Sequence, residues 1–177
     1  MKPELLKPTH LQKLCEEHRL RPSKSFGQNY LISDAPIRTM LEAGEVNERD
    51  TVVEVGPGFG VLPHALAAEV GAVVSFEIER KLESYWEQEM QELESKNVEV
   101  VWGDVLRQFS EWLSTQKEPY KVIANLPYQI TSKVLRLFLE AERQPERIVV
   151  MVQKEVAERI CAGPGDMSLL ALSVQYY

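Results

Sequence analysis

Short apolar runs rich in β-branched residues alternate along this chain with stretches in which apolar side chains recur every three or four positions. The runs predict strands at Thr51 to Val55, Ala72 to Glu77, Val98 to Trp102, Tyr120 to Asn125, Arg147 to Gln153 and Leu169 to Tyr177. The helical spacing predicts helices at Leu62 to Val70, Lys81 to Ser95, Val105 to Ser114, Thr131 to Glu142 and Lys154 to Cys161. Strand and helix in strict turn define an α/β chain with a mostly parallel, doubly wound sheet covered on both faces. Ahead of the first strand, Leu11, Leu14 and Cys15 share one helical face. Ile37, Met40 and Leu41 share another, with Ser33 as its expected N-cap. These are an N-terminal helical elaboration on the sheet. An apolar sixth strand at the very terminus, with no turn after it, suggests a piece of a longer protein.

With 177 residues, 44% of them hydrophobic, the chain can bury one sizeable core. It contains no apolar run of membrane-spanning length, and Met1-Lys2-Pro3-Glu4 lacks the apolar stretch of a secretory signal. The expectation is a soluble cytoplasmic protein, monomeric, with no membrane partner. Cys15 and Cys161 are too few for a disulfide framework, and neither they nor His10, His18 and His64 have metal-ligand spacing, so reduced thiols and no metal are expected.

The net charge of −7 is unevenly spread. From Met1 to Tyr30 six basic residues, Arg21 and Lys24 among them, face three acids, a local charge of +3 that leaves −10 on the rest. A basic arm for phosphate contact has this form, and so does a merely solvated terminus.

Chemistry gathers at the ends of the predicted strands, where open α/β sheets place their sites. The first strand runs into Glu54-Val55-Gly56-Pro57-Gly58-Phe59-Gly60. This glycine turn lets the backbone approach a ligand closely at Gly56 and Gly58. A dinucleotide fingerprint sets its third glycine one residue later. The tighter spacing, with Glu54 just ahead, suits a ligand bearing an amino group and no phosphate, such as S-adenosyl-L-methionine. Glu77 ends the second strand at the distance where a carboxylate accepts ribose hydroxyls. Gly103-Asp104 after the third strand offers a carboxylate for an adenine amine, or a cap for the helix that follows.

The fourth strand ends in Asn125-Leu126-Pro127-Tyr128. The amine of a nucleobase is a poor nucleophile because its lone pair is delocalised into the ring. Asn125 can accept one of its N–H groups. A carbonyl held open by the turn, that of Leu126, can accept the other, since Pro127 has no N–H to reclaim it. Tyr128 offers a face for stacking. Taken alone, these four residues also fit a plain strand-ending turn.

In this order, the motifs resemble the ribosomal RNA adenine N6-dimethyltransferases. The resemblance runs from about Arg21 to Tyr177. It includes Lys24-Ser25-Phe26-Gly27-Gln28-Asn29-Tyr30-Leu31 and Val152-Gln153-Lys154-Glu155-Val156-Ala157-Glu158-Arg159 besides the four strand ends. It implies a Rossmann-like S-adenosylmethionine-dependent methyltransferase fold. It further implies methylation of N6 on two adjacent adenosines of small-subunit rRNA, with the rRNA or pre-ribosomal small subunit as partner. Asn29, Leu31, Gly56, Glu77, Asp104 and Asn125 would line the cofactor site, and Arg21 and Lys24 would touch RNA phosphates. Residues 1–33 would form a basic, helical extension and 34–177 the catalytic domain, the family's small C-terminal helical domain being absent. Pro63, Arg80 and Leu169-Leu170 depart from the family's usual residues without removing a ligand. Within the same chemistry the rival is the large-subunit rRNA adenine methyltransferase of the macrolide-resistance type, which more often has Ile where Leu126 stands. A non-catalytic RNA-binding relative is the reading from another class.

Overall fold

A computed structural model describes residues 2–20, 30–92 and 97–177. Five strands, β1 (Thr51–Val55), β2 (Ala72–Glu77), β3 (Val98–Trp102), β4 (Lys121–Asn125) and β5 (Arg147–Met151), form one sheet in the order β3-β2-β1-β4-β5, with every pairing parallel. The crossovers are α3 (Val61–Ala67), α4 (Glu83–Glu92), α5 (Val105–Thr115) and α6 (Thr131–Leu139), preceded by α1 (Pro8–Glu17) and α2 (Ala35–Gly44) and followed by α7 (Lys154–Ile160) and α8 (Leu169–Tyr176). None of the described helices is long and apolar enough to cross a membrane.

Side chains alternate across a strand, so consecutive residues of β1 feed opposite cores. Val52 joins Ile37, Met40, Leu62, Leu66 and Trp86 on one face, whereas Val53 and Val55 join Phe76, Phe109, Val134 and Phe138 on the other. The N-terminal elaboration is built into the first of these cores, where Leu5, Leu11, Leu14 and Cys15 are buried. Ser33 accepts the Ala35 N–H at 3.3 Å from one position ahead of the cap residue Asp34, whose own side chain makes no capping bond.

The predicted sixth strand is a helix instead. Ser168 caps α8 by accepting the Ala171 N–H at 3.2 Å, and Leu170 and Ala171 are buried beneath it. Leu169-Leu170-Ala171-Leu172 supplies strong helix formers directly after that cap, which outweighs the β preference of Val174, Tyr176 and Tyr177.

Candidate active site

The strand order reverses between β1 and β4, and the crevice at such a switch point is where open α/β sheets bind ligands. The turns after these two strands meet there. Gly56 has φ +78°, and a β-carbon on it would come to 3.6 Å from Pro127 Cγ. A cleft of about 740 Å³ opens above this junction. Gly56, Gly58, Glu77, Asp104, Leu31, Asn125, Leu126 and Pro127 all line it, so residues from four strand ends and from the segment before α2 share one cavity. Tyr128 is half-buried and stands outside the lining. Arg21, Lys24, Phe26 and Asn29 lie outside the described residues.

Glu77 is the hub of the cleft wall beside the glycine turn. Its Oε2 accepts the Gly58 N–H at 3.1 Å and its Oε1 the Glu79 N–H at 2.7 Å, which ties the end of β2 to the glycine turn. Each oxygen keeps lone-pair capacity for a hydroxyl. Burial raises its pKa against the pull of those backbone donors. Asp104 does cap α5, its Oδ1 accepting the Leu106 N–H at 3.0 Å. Its Oδ2 is 3.9 Å from Arg107 Nε and remains at the cleft wall.

Glu54 is 1% exposed, and among the described residues its Oε2 has no hydrogen-bond partner. Burial pushes its carboxyl well above the usual carboxylate range, the nearby Glu77 adds to the rise, and Ser75, its register partner on β2, opposes it. An orphaned acceptor in a cleft wall, next to a glycine turn, fits a ligand that brings a positively charged amino group.

Two residues that sequence reasoning passed over hold the glycine turn from behind. Trp86 Nε1 donates to the Gly58 carbonyl and Tyr85 Oη to the Phe59 carbonyl, each at 2.9 Å. Trp86 is itself held, stacking on His64 with ring centroids 6.3 Å apart, while His64 Nε2 meets Glu89 Oε2 at 2.6 Å and Lys2 reaches Glu89 at 2.9 Å. Tyr85 and Trp86 appeared in the sequence only as aromatics within a predicted helix, and nothing in helical periodicity says that such a pair aims its donors at a loop. Phe59 packs as a core residue, 1% exposed and stacked on Tyr30 at 5.5 Å.

At the end of β4 Asn125 is half-buried at the cleft wall. The Pro127 carbonyl is occupied, accepting the Ile130 N–H at 3.2 Å and the Thr131 hydroxyl at 3.1 Å. Leu126 is 1% exposed, and its N–H donates to Met151 on β5 at 3.2 Å, which anchors the turn to the sheet.

A five-stranded parallel sheet with a glycine turn, a carboxylate ending its second strand and a switch-point cleft is a Rossmann-like methyltransferase fold. Solved structures agree: a dimethyladenosine transferase from Plasmodium falciparum superposes with a TM-score of 0.69 at 24% identity, covering 82% of this chain and 51% of that one. An RNA methyltransferase from Salinibacter ruber, solved in complex with S-adenosyl-L-homocysteine, gives 0.52 at 21% identity, with 68% and 74% covered. The 23S rRNA methyltransferase ErmE gives 0.60 at 29% identity, with 74% and 50% covered. The family model described as ribosomal RNA adenine dimethylase matches residues 19–177, and the chain belongs to that family. Among curated relatives, a ribosomal RNA small subunit methyltransferase A from Dehalococcoides mccartyi is 43% identical over 94% of this chain, and one from Enterococcus faecalis is 37% identical over 98%. The chain spans 56% and 60% of the length of these two relatives.

Proposed function

We propose that the protein transfers methyl groups from S-adenosyl-L-methionine to N6 of two adjacent adenosines in small-subunit rRNA, acting in the cytoplasm as a monomer on the rRNA or pre-ribosomal small subunit. In this reading residues 34–177 form the catalytic domain and 1–33 a basic extension whose Arg21 and Lys24 meet RNA phosphates. The observation that carries it is the shared cleft: Asn125 and buried Glu54, whose Oε2 has no hydrogen-bond partner among the described residues, line one cavity at the junction where Gly56 meets Pro127.

When bound, the cofactor supplies a methyl already activated on a sulfonium, so the protein's part is to position the amine and exclude water. Glu54 would receive the cofactor's amino group, Glu77 the ribose hydroxyls and Asp104 Oδ2 the adenine amine. Leu31, Asn29 and the backbone at Gly56 and Gly58 complete the wall. On the other side, Asn125 Oδ1 accepts one N–H of the target amine and the Leu126 carbonyl the second. Both acceptors draw electron density toward nitrogen. Because the methyl would arrive already activated, the amine nitrogen would not have to give up its proton first, so the turn supplies hydrogen-bond acceptors and no strong base. Extruding the adenine costs a few kcal/mol. Tyr128, next in the turn, offers a face whose stacking offsets about 1–3 kcal/mol of that.

Support for the small-subunit target comes from the names of the curated relatives and from Leu126 in the turn. The test is to incubate labelled S-adenosyl-L-methionine with unmodified small-subunit particles and, separately, with large-subunit RNA, and to map the labelled nucleotide. Label on two adjacent adenosines of the small-subunit rRNA is expected. Label on large-subunit RNA supports the macrolide-resistance type, and none on either supports a non-catalytic relative.

A further inference from the structure

Among the described residues, six charged side chains line the cleft: Glu54, Glu77, Glu79 and Asp104 against Arg80 and Lys133. An acidic wall suits a cationic cofactor and repels a phosphodiester, so an RNA strand brought to this cleft needs cations to meet it. Arg80 is already committed. Its guanidinium pairs with Glu83, donates to the Trp102 carbonyl at 3.4 Å and lies 5.9 Å over the Trp102 ring.

Lys133 differs in each respect. It is exposed, and among the described residues it makes no ion pair or side-chain hydrogen bond. Its place is set by the catalytic turn. The Pro127 carbonyl accepts both the Ile130 N–H and the hydroxyl of buried Thr131, which fastens the first turn of α6 to Asn125-Leu126-Pro127. Lys133, two residues beyond Thr131, is carried at a fixed offset from Asn125. Helix stability does not account for it, because the first turn of a helix favours acidic side chains and disfavours basic ones. A residue that works against its own helix, faces the cleft and has no partner among the described residues breaks a local rule at a site, which is where such exceptions concentrate.

We propose that Lys133 holds a backbone phosphate of the RNA strand beside the target adenosine, on the Asn125 side of the cleft. The proposal rests on reading the site as an RNA methyltransferase centre. It assigns Lys133 to substrate binding and not to the cofactor.

The test measures the affinity of the protein for a single-stranded RNA oligonucleotide with two adjacent adenosines over a series of KCl concentrations. The variants are Lys133→Gln, Lys133→Arg and, as a control, Lys117→Gln, an exposed lysine near the opposite, N-terminal end of β4. Lys133→Gln is expected to weaken binding about 3- to 10-fold at low salt and to reduce the slope of log affinity against log salt by about 0.7, the value for one phosphate contact to a single strand. Lys133→Arg retains the slope, Lys117→Gln changes nothing, and affinity for S-adenosyl-L-methionine without RNA stays the same in all three. An unchanged slope in Lys133→Gln overturns the proposal, as does an equal loss in Lys117→Gln. Loss of cofactor affinity in Lys133→Gln also overturns it and reassigns the ammonium to the cofactor's carboxylate. A wild-type protein with no salt-dependent RNA affinity refutes the reading of the whole site, whereas wild-type binding with an indifferent Lys133→Gln refutes this inference alone.

Discussion

The indole N–H of Trp86 donates to the carbonyl of Gly58 at 2.9 Å, while the N–H of the same glycine donates to Glu77 at 3.1 Å. One peptide turn is thus fixed from two sides, by a helix behind it and a strand beside it. Preorganisation of this kind cuts the ordering cost that a ligand otherwise meets on binding.

Trp86→Phe keeps an aromatic ring in the core and removes the donor. A hydrogen bond of this type contributes about 0.5–1.5 kcal/mol net, so a modest drop in the unfolding midpoint is expected. Loss of about 1 kcal/mol of positioning corresponds to about 5-fold weaker cofactor binding. Thermal unfolding and calorimetric titration with S-adenosyl-L-methionine measure the two effects. Unchanged cofactor affinity in a folded variant removes Trp86 from the positioning of the turn.

Glu54 links stability to function through its protonation. Its carboxyl is raised well above the usual range in the folded protein by burial, so the folded state binds that proton more tightly than the unfolded chain does. Stability is therefore lost as pH rises from the ordinary glutamate value toward the raised one. Glu54→Gln abolishes that dependence and raises the unfolding midpoint at neutral pH while weakening cofactor binding. Glutamine that binds the cofactor as tightly as glutamate contradicts the role.

Alanine substitutions separate backbone strain from crowding. At Gly56 the left-handed φ of +78° costs about 1–2 kcal/mol for any L side chain, and the new β-carbon meets Pro127 only at ordinary contact distance. At Gly60 a similar φ of +83° is joined by approaches of 3.0 Å to the His64 ring and 3.1 Å to Trp86. Urea unfolding is expected to rank Gly60→Ala as more damaging than Gly56→Ala. Gly163→Ala, with nothing within 4 Å, is expected to be near neutral. The reverse order for Gly56 and Gly60 removes crowding as the deciding effect.

These cases show what could be read in advance. The five parallel strands were legible because buried parallel strands are continuous apolar runs, and β1, β2 and β3 have the bounds their sequences predict. The last segment was not, because Leu169 to Tyr177 mixes helix and strand formers, and the helix is settled by the cap in which Ser168 accepts the Ala171 N–H together with the burial of Leu170 and Ala171. At the site, residues at strand ends could be named because sheet topology alone gathers them. Tyr85 and Trp86 could not, since the partner carbonyls lie 26 and 28 positions away in the chain and the contact depends on how α4 packs. Tyr128 could be assigned to the turn but not oriented, and it stands outside the cleft lining.

The central claim is that Asn125 acts on the target amine and not on the cofactor. Its most direct measurement compares turnover and cofactor affinity in Asn125→Ala, using S-adenosyl-L-methionine and unmodified small-subunit particles. Removing one preorganised group that acts in the transition state costs about 3 kcal/mol, so kcat is expected to fall about 100-fold or more while the cofactor's Kd stays within about 2-fold. A fall in cofactor affinity as large as the fall in kcat, or turnover close to that of the wild type, contradicts the account.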